Sequence, residues 1–152
     1  MNREPLRAIT EDDVAAYETD GVVCLRGMVD ADWIAFMAKA VDDAMAAPGR
    51  FAEDYTPAGG TGRFFGDLDI WQRQPAFRRF VFESPAAAIA ARLMRSGKVN
   101  FFYDQLLGKE PGPARPTAWH QDQPHGAVAR RRGRSILLPV ALAAAEARCV
   151  CG

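Results

Sequence analysis

The sequence predicts an α+β fold, and three observations predict it. Apolar residues recur at helical spacing between Asp30 and Ala47. Val99 to Leu107 (VNFFYDQLL) is rich in the β-branched and aromatic residues that suit a pleated, half-buried surface. Glycine and proline punctuate the chain at Pro57, Gly59, Gly60 and Gly62, and again at Gly108, Pro111, Gly112, Pro113 and Pro116. The 152 residues, 49% of them hydrophobic, are enough for one domain with a real core.

The elements follow in order. Thr10 stands before Glu11, Asp12 and Asp13, which is a capping-box-like start with acids at the positive end of the helix dipole. Val14 and Tyr17 continue at helical spacing, so a helix is expected over residues 11–19, stopped at Gly21. Val22 to Leu25 reads as a short buried strand, with Cys24 a buried reduced thiol inside it. A longer helix is expected over residues 30–47, with Trp33, Phe36, Met37, Ala40, Val41 and Ala44 on one face and Pro48-Gly49 as its end. That aromatic stripe is read as core packing. Residues 50–75 read as loop, either a lid facing substrate or a packed surface segment. A third helix starts with Ser84 as N-cap and Pro85 in its first turn, turns Ile89, Leu93 and Met94 inward, and stops before Gly97. Val99 to Leu107 is the best strand, and Thr117 to Asp122 a second short strand or turn.

Composition excludes several function classes. Nineteen basic residues balance nineteen acidic ones, which gives no electrostatic footprint for nucleic acid or an anionic membrane surface. No apolar run approaches the roughly twenty residues of a membrane span. The opening MNREPLRAITEDD lacks the apolar core of a signal peptide, so the cytoplasm is the expected location. Three cysteines without framework spacing argue against a disulfide scaffold, and Cys149 with Cys151 lacks the second ligand pair of a metal site.

The character of the chain changes beyond Asp122. Every Phe, Trp and Tyr lies at or before Trp119, Glu146 is the one acid left, and Arg130, Arg131, Arg132 and Arg134 precede an alanine cluster. One reading is a genuine apolar strand or helix over residues 136–142 beside a solvated basic turn. The other, preferred here, is a tail translated out of frame. The chain accordingly divides into residues 1–125 and an atypical tail, 126–152.

The histidines are His120 and His125. His120 and Asp122 form an H-x-D pair, and in extended backbone residues i and i+2 point to the same side. An imidazole nitrogen and a carboxylate oxygen can then converge on one metal ion, as in the facial triad of non-haem iron oxygenases. A bare H-x-D is a weak signal, since most such pairs are surface residues. A hydrolytic zinc site is disfavoured, because no further histidine or cysteine cluster accompanies His120.

The surroundings strengthen the iron reading. Phe101 to Gly112, followed by Pro116-Thr117-Ala118-Trp119-His120-Gln121-Asp122-Gln123-Pro124, resembles the phytanoyl-CoA dioxygenase family, in which a strand and a Lys-x-Pro-Gly-like turn lead into a Trp-His-Gln-Asp metal motif. Asp20-Gly21-Val22-Val23, Leu25-Arg26-Gly27 and the stretch Phe80 to Leu93 fit the same pattern, so the resemblance covers about residues 9–124. It implies a double-stranded β-helix (jelly-roll, cupin-like) core with N-terminal helices, binding Fe(II) and 2-oxoglutarate. It also implies hydroxylation of a small organic substrate by dioxygen, coupled to decarboxylation of 2-oxoglutarate to succinate.

By position, His120 and Asp122 would be two iron ligands. Gln105 matches a cosubstrate-contacting position and its amide could donate to 2-oxoglutarate; the competing reading is a solvent-facing strand residue. Thr117 would face the same site. Lys109 would support the cosubstrate end of the pocket or stand in solvent on a turn. Trp119 is read as packing, and His125 is not read as a ligand. The chain departs from the family in having no histidine after His125 and no Pro-Gly-Ser-His segment. The third iron ligand, the arginine for the 2-oxoglutarate carboxylate and barrel closure are therefore expected to be missing. The alternative function is a non-catalytic binding module on the same architecture.

Overall fold

The computed structural model describes residues 1–56, 58–59, 62–110, 136 and 138–140. Among them the chain order is α1 (Glu11–Asp20), α2 (Ala31–Ala46), β1 (Glu53–Asp54), β2 (Phe64–Leu68), a 3₁₀ turn (Ile70–Gln72), α3 (Pro75–Glu83), α4 (Ala86–Leu93) and β3 (Gln105–Lys109). The fold is mixed: among the described residues, helices lie against one small antiparallel sheet that does not close. Thr117, His120 and Asp122 lie outside the described residues.

The helices begin where their caps dictate. Thr10 Oγ1 accepts from the Asp13 amide at 3.1 Å and Asp13 Oδ2 accepts from the Thr10 amide at 3.0 Å, a reciprocal capping box. Gly21, at φ 74°, closes α1 in the left-handed conformation that a side chain resists. Asp30 caps α2 by accepting from the Trp33 amide at 2.9 Å. Trp33, Met37, Ala40 and Ala44 are buried along α2, while Phe36 and Val41 pack partly buried beside them. The indole N–H of Trp33 donates to the carbonyl of Asn2 at 2.8 Å, so the largest ring in the core carries no unpaired donor.

The sheet has the order β1-β2-β3, with each neighbouring pair antiparallel. In β2 and β3 the register sets Phe65 opposite Gly108, Asp67 opposite Leu106, Gly66 opposite Leu107 and Leu68 opposite Gln105. Paired residues share a face, and faces alternate along each strand. Phe65 and Leu106 therefore point together into a core with Trp33, Met37, Ala44, Ile70 and Phe77 from α2, the 3₁₀ turn and α3. A second core joins Ile9, Val14 and Met28 to Ile89 and Leu93 of α4, with Ile136 and Leu138 packed partly buried against it.

Asp67 also points inward, fully buried. Its Oδ2 accepts from the Arg73 guanidinium and, at 3.0 Å, from the Gly49 amide; its Oδ1 accepts from the Leu68 amide at 2.9 Å. One carboxylate thus ties β2 to the end of α2 and to the 3₁₀ turn, which makes a buried charge tolerable.

Several expectations are corrected. Val22 to Leu25 is not a strand: no described strand pairs with it, and it merely alternates, with Val23 and Leu25 packed against the second core. Cys24 falls on the outward side and is exposed, not buried. The loop expected over residues 50–75 contains β1, β2 and the 3₁₀ turn. Glycine and aspartate disfavour a strand at Phe64–Leu68, but ladder pairing and the satisfied Asp67 override that preference. Helix α3, opened by Pro75 and burying Phe77, was not expected, and Ser84 is its C-cap as well as an acceptor for the Ala86 amide at 3.3 Å. The strand expected over residues 99–107 begins only at Gln105 and runs on to Lys109. Of the described residues in the expected 136–142 element, none is in a helix or strand.

Two outcomes follow. Asp67→Ala leaves Arg73 and the Gly49 amide without their acceptor; because Arg73 is 32% exposed, the cost is set at about 2–3 kcal/mol, read as a melting temperature lower by roughly 10 °C. An unmoved melting temperature would contradict the tie. Asp13, held by Arg7 and by the Thr10 amide, has its pKa lowered to about 2. A depressed carboxylate pKa stabilises above the ordinary Asp value and loses that contribution as pH falls toward 2, so Asp13→Asn should flatten the acid limb of a stability–pH curve.

Candidate functional site

Because Leu106 is buried, its neighbours on β3 must face the other way. Gln105, Leu107 and Lys109 line the sheet face turned away from the helices, opposite Leu68, Gly66 and Phe64 of β2. The centre of that face is apolar and open, with Leu107 57% and Leu68 38% exposed. The Tyr55 ring lies over Gly66, where a Cβ would stand 2.8 Å from Tyr55 Cε2, so any side chain there would push the ring aside. Tyr55 also packs on Phe64, ring centroids 5.1 Å apart.

Two nitrogen donors flank this apolar strip. Gln105 is exposed at one end. At the other, Lys109 Nζ stands 5.1 Å from the Phe64 ring centroid, an exposed cation–π contact on a strand and not on a turn. Four residues of strand separate their backbones by roughly 13 Å. The structure therefore brings two of the residues singled out from the sequence to one face, at opposite ends of it.

The Gln105 end is anchored by its neighbour. The Asp104 carboxylate accepts from the Trp71 amide at 3.1 Å, and the Asp104 carbonyl accepts from the Asp69 amide at 3.1 Å. The carboxylate thus caps the 3₁₀ turn Ile70–Gln72. Burial raises the Asp104 pKa above the ordinary carboxylate value; the backbone amides of Trp71 and Ile70 oppose the shift, and the nearby charge of Asp69 adds to it. Phe101 meets Trp71 edge to face at 5.6 Å, and Phe82 joins them at 5.9 Å from Trp71. The Trp71 Nε1 is buried and makes no hydrogen bond among the described residues.

Asp104 and Trp71 escaped the sequence reading. The available signal was a lone acid inside an otherwise apolar and aromatic run, which a half-buried strand does not need. Among the described residues no group of three or more His, Cys, Asp or Glu could hold a metal ion. Both histidines stand in the stretch outside them. A recess of about 600 Å³ at the C-terminal end of α4 shares no residue with the sheet face, and its Arg92 and Arg95 are engaged by Glu11. No described helix is long and apolar enough to cross a membrane.

No curated protein and no solved structure matches the chain at a significant level. A family model does: that described as phytanoyl-CoA dioxygenase (PhyH) matches residues 17–149. The matched span takes in the sheet, Gln105 and Lys109, then Thr117, His120 and Asp122, and continues through the basic and alanine-rich tail. The chain belongs to the phytanoyl-CoA dioxygenase family.

Proposed function

We propose that this chain is an Fe(II)- and 2-oxoglutarate-dependent oxygenase domain acting on a C–H bond of a small organic substrate, and that the open sheet face is one wall of its cosubstrate pocket. One observation carries the reading. Gln105 and Lys109, the described residues assigned to the cosubstrate, share the face turned away from the helical core. Both offer N–H donors, one neutral and one cationic, as a dianionic ligand such as 2-oxoglutarate requires. A sheet covered by helices on one face and open and apolar on the other also suits half of a two-sheet jelly roll.

In this reading His120 and Asp122 hold the iron, and Thr117 faces the same site. The iron supplies dioxygen activation when bound. The chain's own residues orient the cosubstrate: Gln105 through its side-chain amide and Lys109 through its charge. Leu68, Leu107 and Phe64 keep the wall between them apolar and limit water. Within residues 1–152, His120 and Asp122 are the protein ligands proposed. The second reading is a binding module on the same architecture, without turnover.

Purified protein given Fe(II), ascorbate and 2-oxoglutarate should release succinate, and His120→Ala should reduce release to the enzyme-free background. Succinate release that survives the substitution would overturn the iron assignment. No uptake of Fe(II), with a melting temperature indifferent to Fe(II) and 2-oxoglutarate, would leave the binding-module reading standing.

A further inference from the structure

We infer that Asp104 is a positioning residue that acts through Gln105, by clamping the first residue of β3 to the 3₁₀ turn Ile70–Gln72. The inference rests on the reading of Gln105 as a cosubstrate contact and adds what holds that side chain in place. Gln105 is the last rung of the β2–β3 ladder, opposite Leu68. The preceding segment, residues 99–104, has no regular structure, and Phe101, Phe102 and Tyr103 are exposed. A strand end fed by such a segment frays unless something fixes it.

Asp104 supplies the fixing from both its groups. Its carbonyl takes the Asp69 amide and its carboxylate takes the Trp71 amide, each at 3.1 Å, across thirty-odd residues of sequence. The turn it grips is packed into the fold: Ile70 is fully buried in the main core, and Asp69 follows directly on Leu68, the rung opposite Gln105. Asp104 therefore ties the end of β3 to the same short stretch that ends β2. Losing the side chain frees the Trp71 amide and loosens the rung that carries Gln105.

The clamp needs an acceptor oxygen, not a charge. A folded-state carboxyl pKa raised by burial means that the ionised form costs stability at neutral pH, a cost relieved as pH falls through the raised pKa. Asparagine keeps an oxygen for the Trp71 amide without that cost, so Asp104→Asn should fold at least as stably and preserve the clamp. Alanine should not.

The test is a double-mutant cycle read by calorimetric titration of 2-oxoglutarate into the Fe(II)-loaded full chain without oxygen, together with amide hydrogen exchange of the metal-free protein. Asp104→Ala should speed exchange at Asp69, Trp71 and along β3, and weaken 2-oxoglutarate binding about tenfold. Asp104→Asn should restore both to near the unmodified values. In a Gln105→Ala background, itself weakened, Asp104→Ala should produce no further loss, because its effect is already spent. Exchange unchanged by Asp104→Ala, or losses that simply add, overturn the positioning role and leave the cosubstrate reading of Gln105 intact. If Gln105→Ala binds 2-oxoglutarate as the unmodified chain does, or if the unmodified chain binds none, that reading fails and the positioning role falls with it.

Discussion

The burial of Leu106 is the constraint on which the site depends. A strand presents alternate residues to opposite faces, so one side chain committed to the core commits its neighbours to the other side. Leu106 packs with Phe65 into the cluster built on Trp33, Met37 and Phe77. Gln105, Leu107 and Lys109 then have only the open face to occupy. A slip of one residue would bury Gln105 and Lys109 unpaired and expose Leu106, a loss on both faces at once. Hydrophobic packing on one side of the sheet thus fixes the polar chemistry on the other.

The helices serve this arrangement from behind. α2 and α3 cover the inner face, while Asp67 joins β2 to Gly49 and Arg73 and so holds the sheet at a fixed position on α2. The second core, between α1 and α4, shares the partly buried Val29 with the first and contributes none of the open-face side chains. This division lets one part of the chain carry stability and another carry a site.

Much of the helical half was legible in the sequence because its signals are local. Thr10 and Asp13 form the expected capping box, Gly21 stops α1, and the α2 stripe from Trp33 to Ala44 is buried as its spacing implies. The sheet was not legible, because strand formation depends on partners distant in sequence. Phe64–Leu68 carries a glycine and an aspartate that argue against a strand until β3 pairs with it. Conversely, Val22 to Leu25 has strand composition but no described partner, which left Cys24 exposed where burial was expected. The aromatic run at Phe101 to Tyr103 reads as strand, yet Phe101 packs on Trp71 and the following Asp104 accepts from the turn amides. Family membership was visible in the Trp119-His120-Gln121-Asp122 segment, and the family match over residues 17–149 agrees with it.

The described sheet and the histidine-bearing stretch meet in a single claim, that a metal bound through His120 and Asp122 lies over the face that presents Gln105. Paramagnetic broadening of backbone amide signals by Mn(II), a redox-stable stand-in for Fe(II), measures this directly. The account predicts selective broadening of β3 and of the 3₁₀ turn, with α1 and α4 around Val14 and Ile89 spared. Broadening centred on the acids of α1, such as Glu11 and Asp12, or spread evenly over the surface, would contradict it.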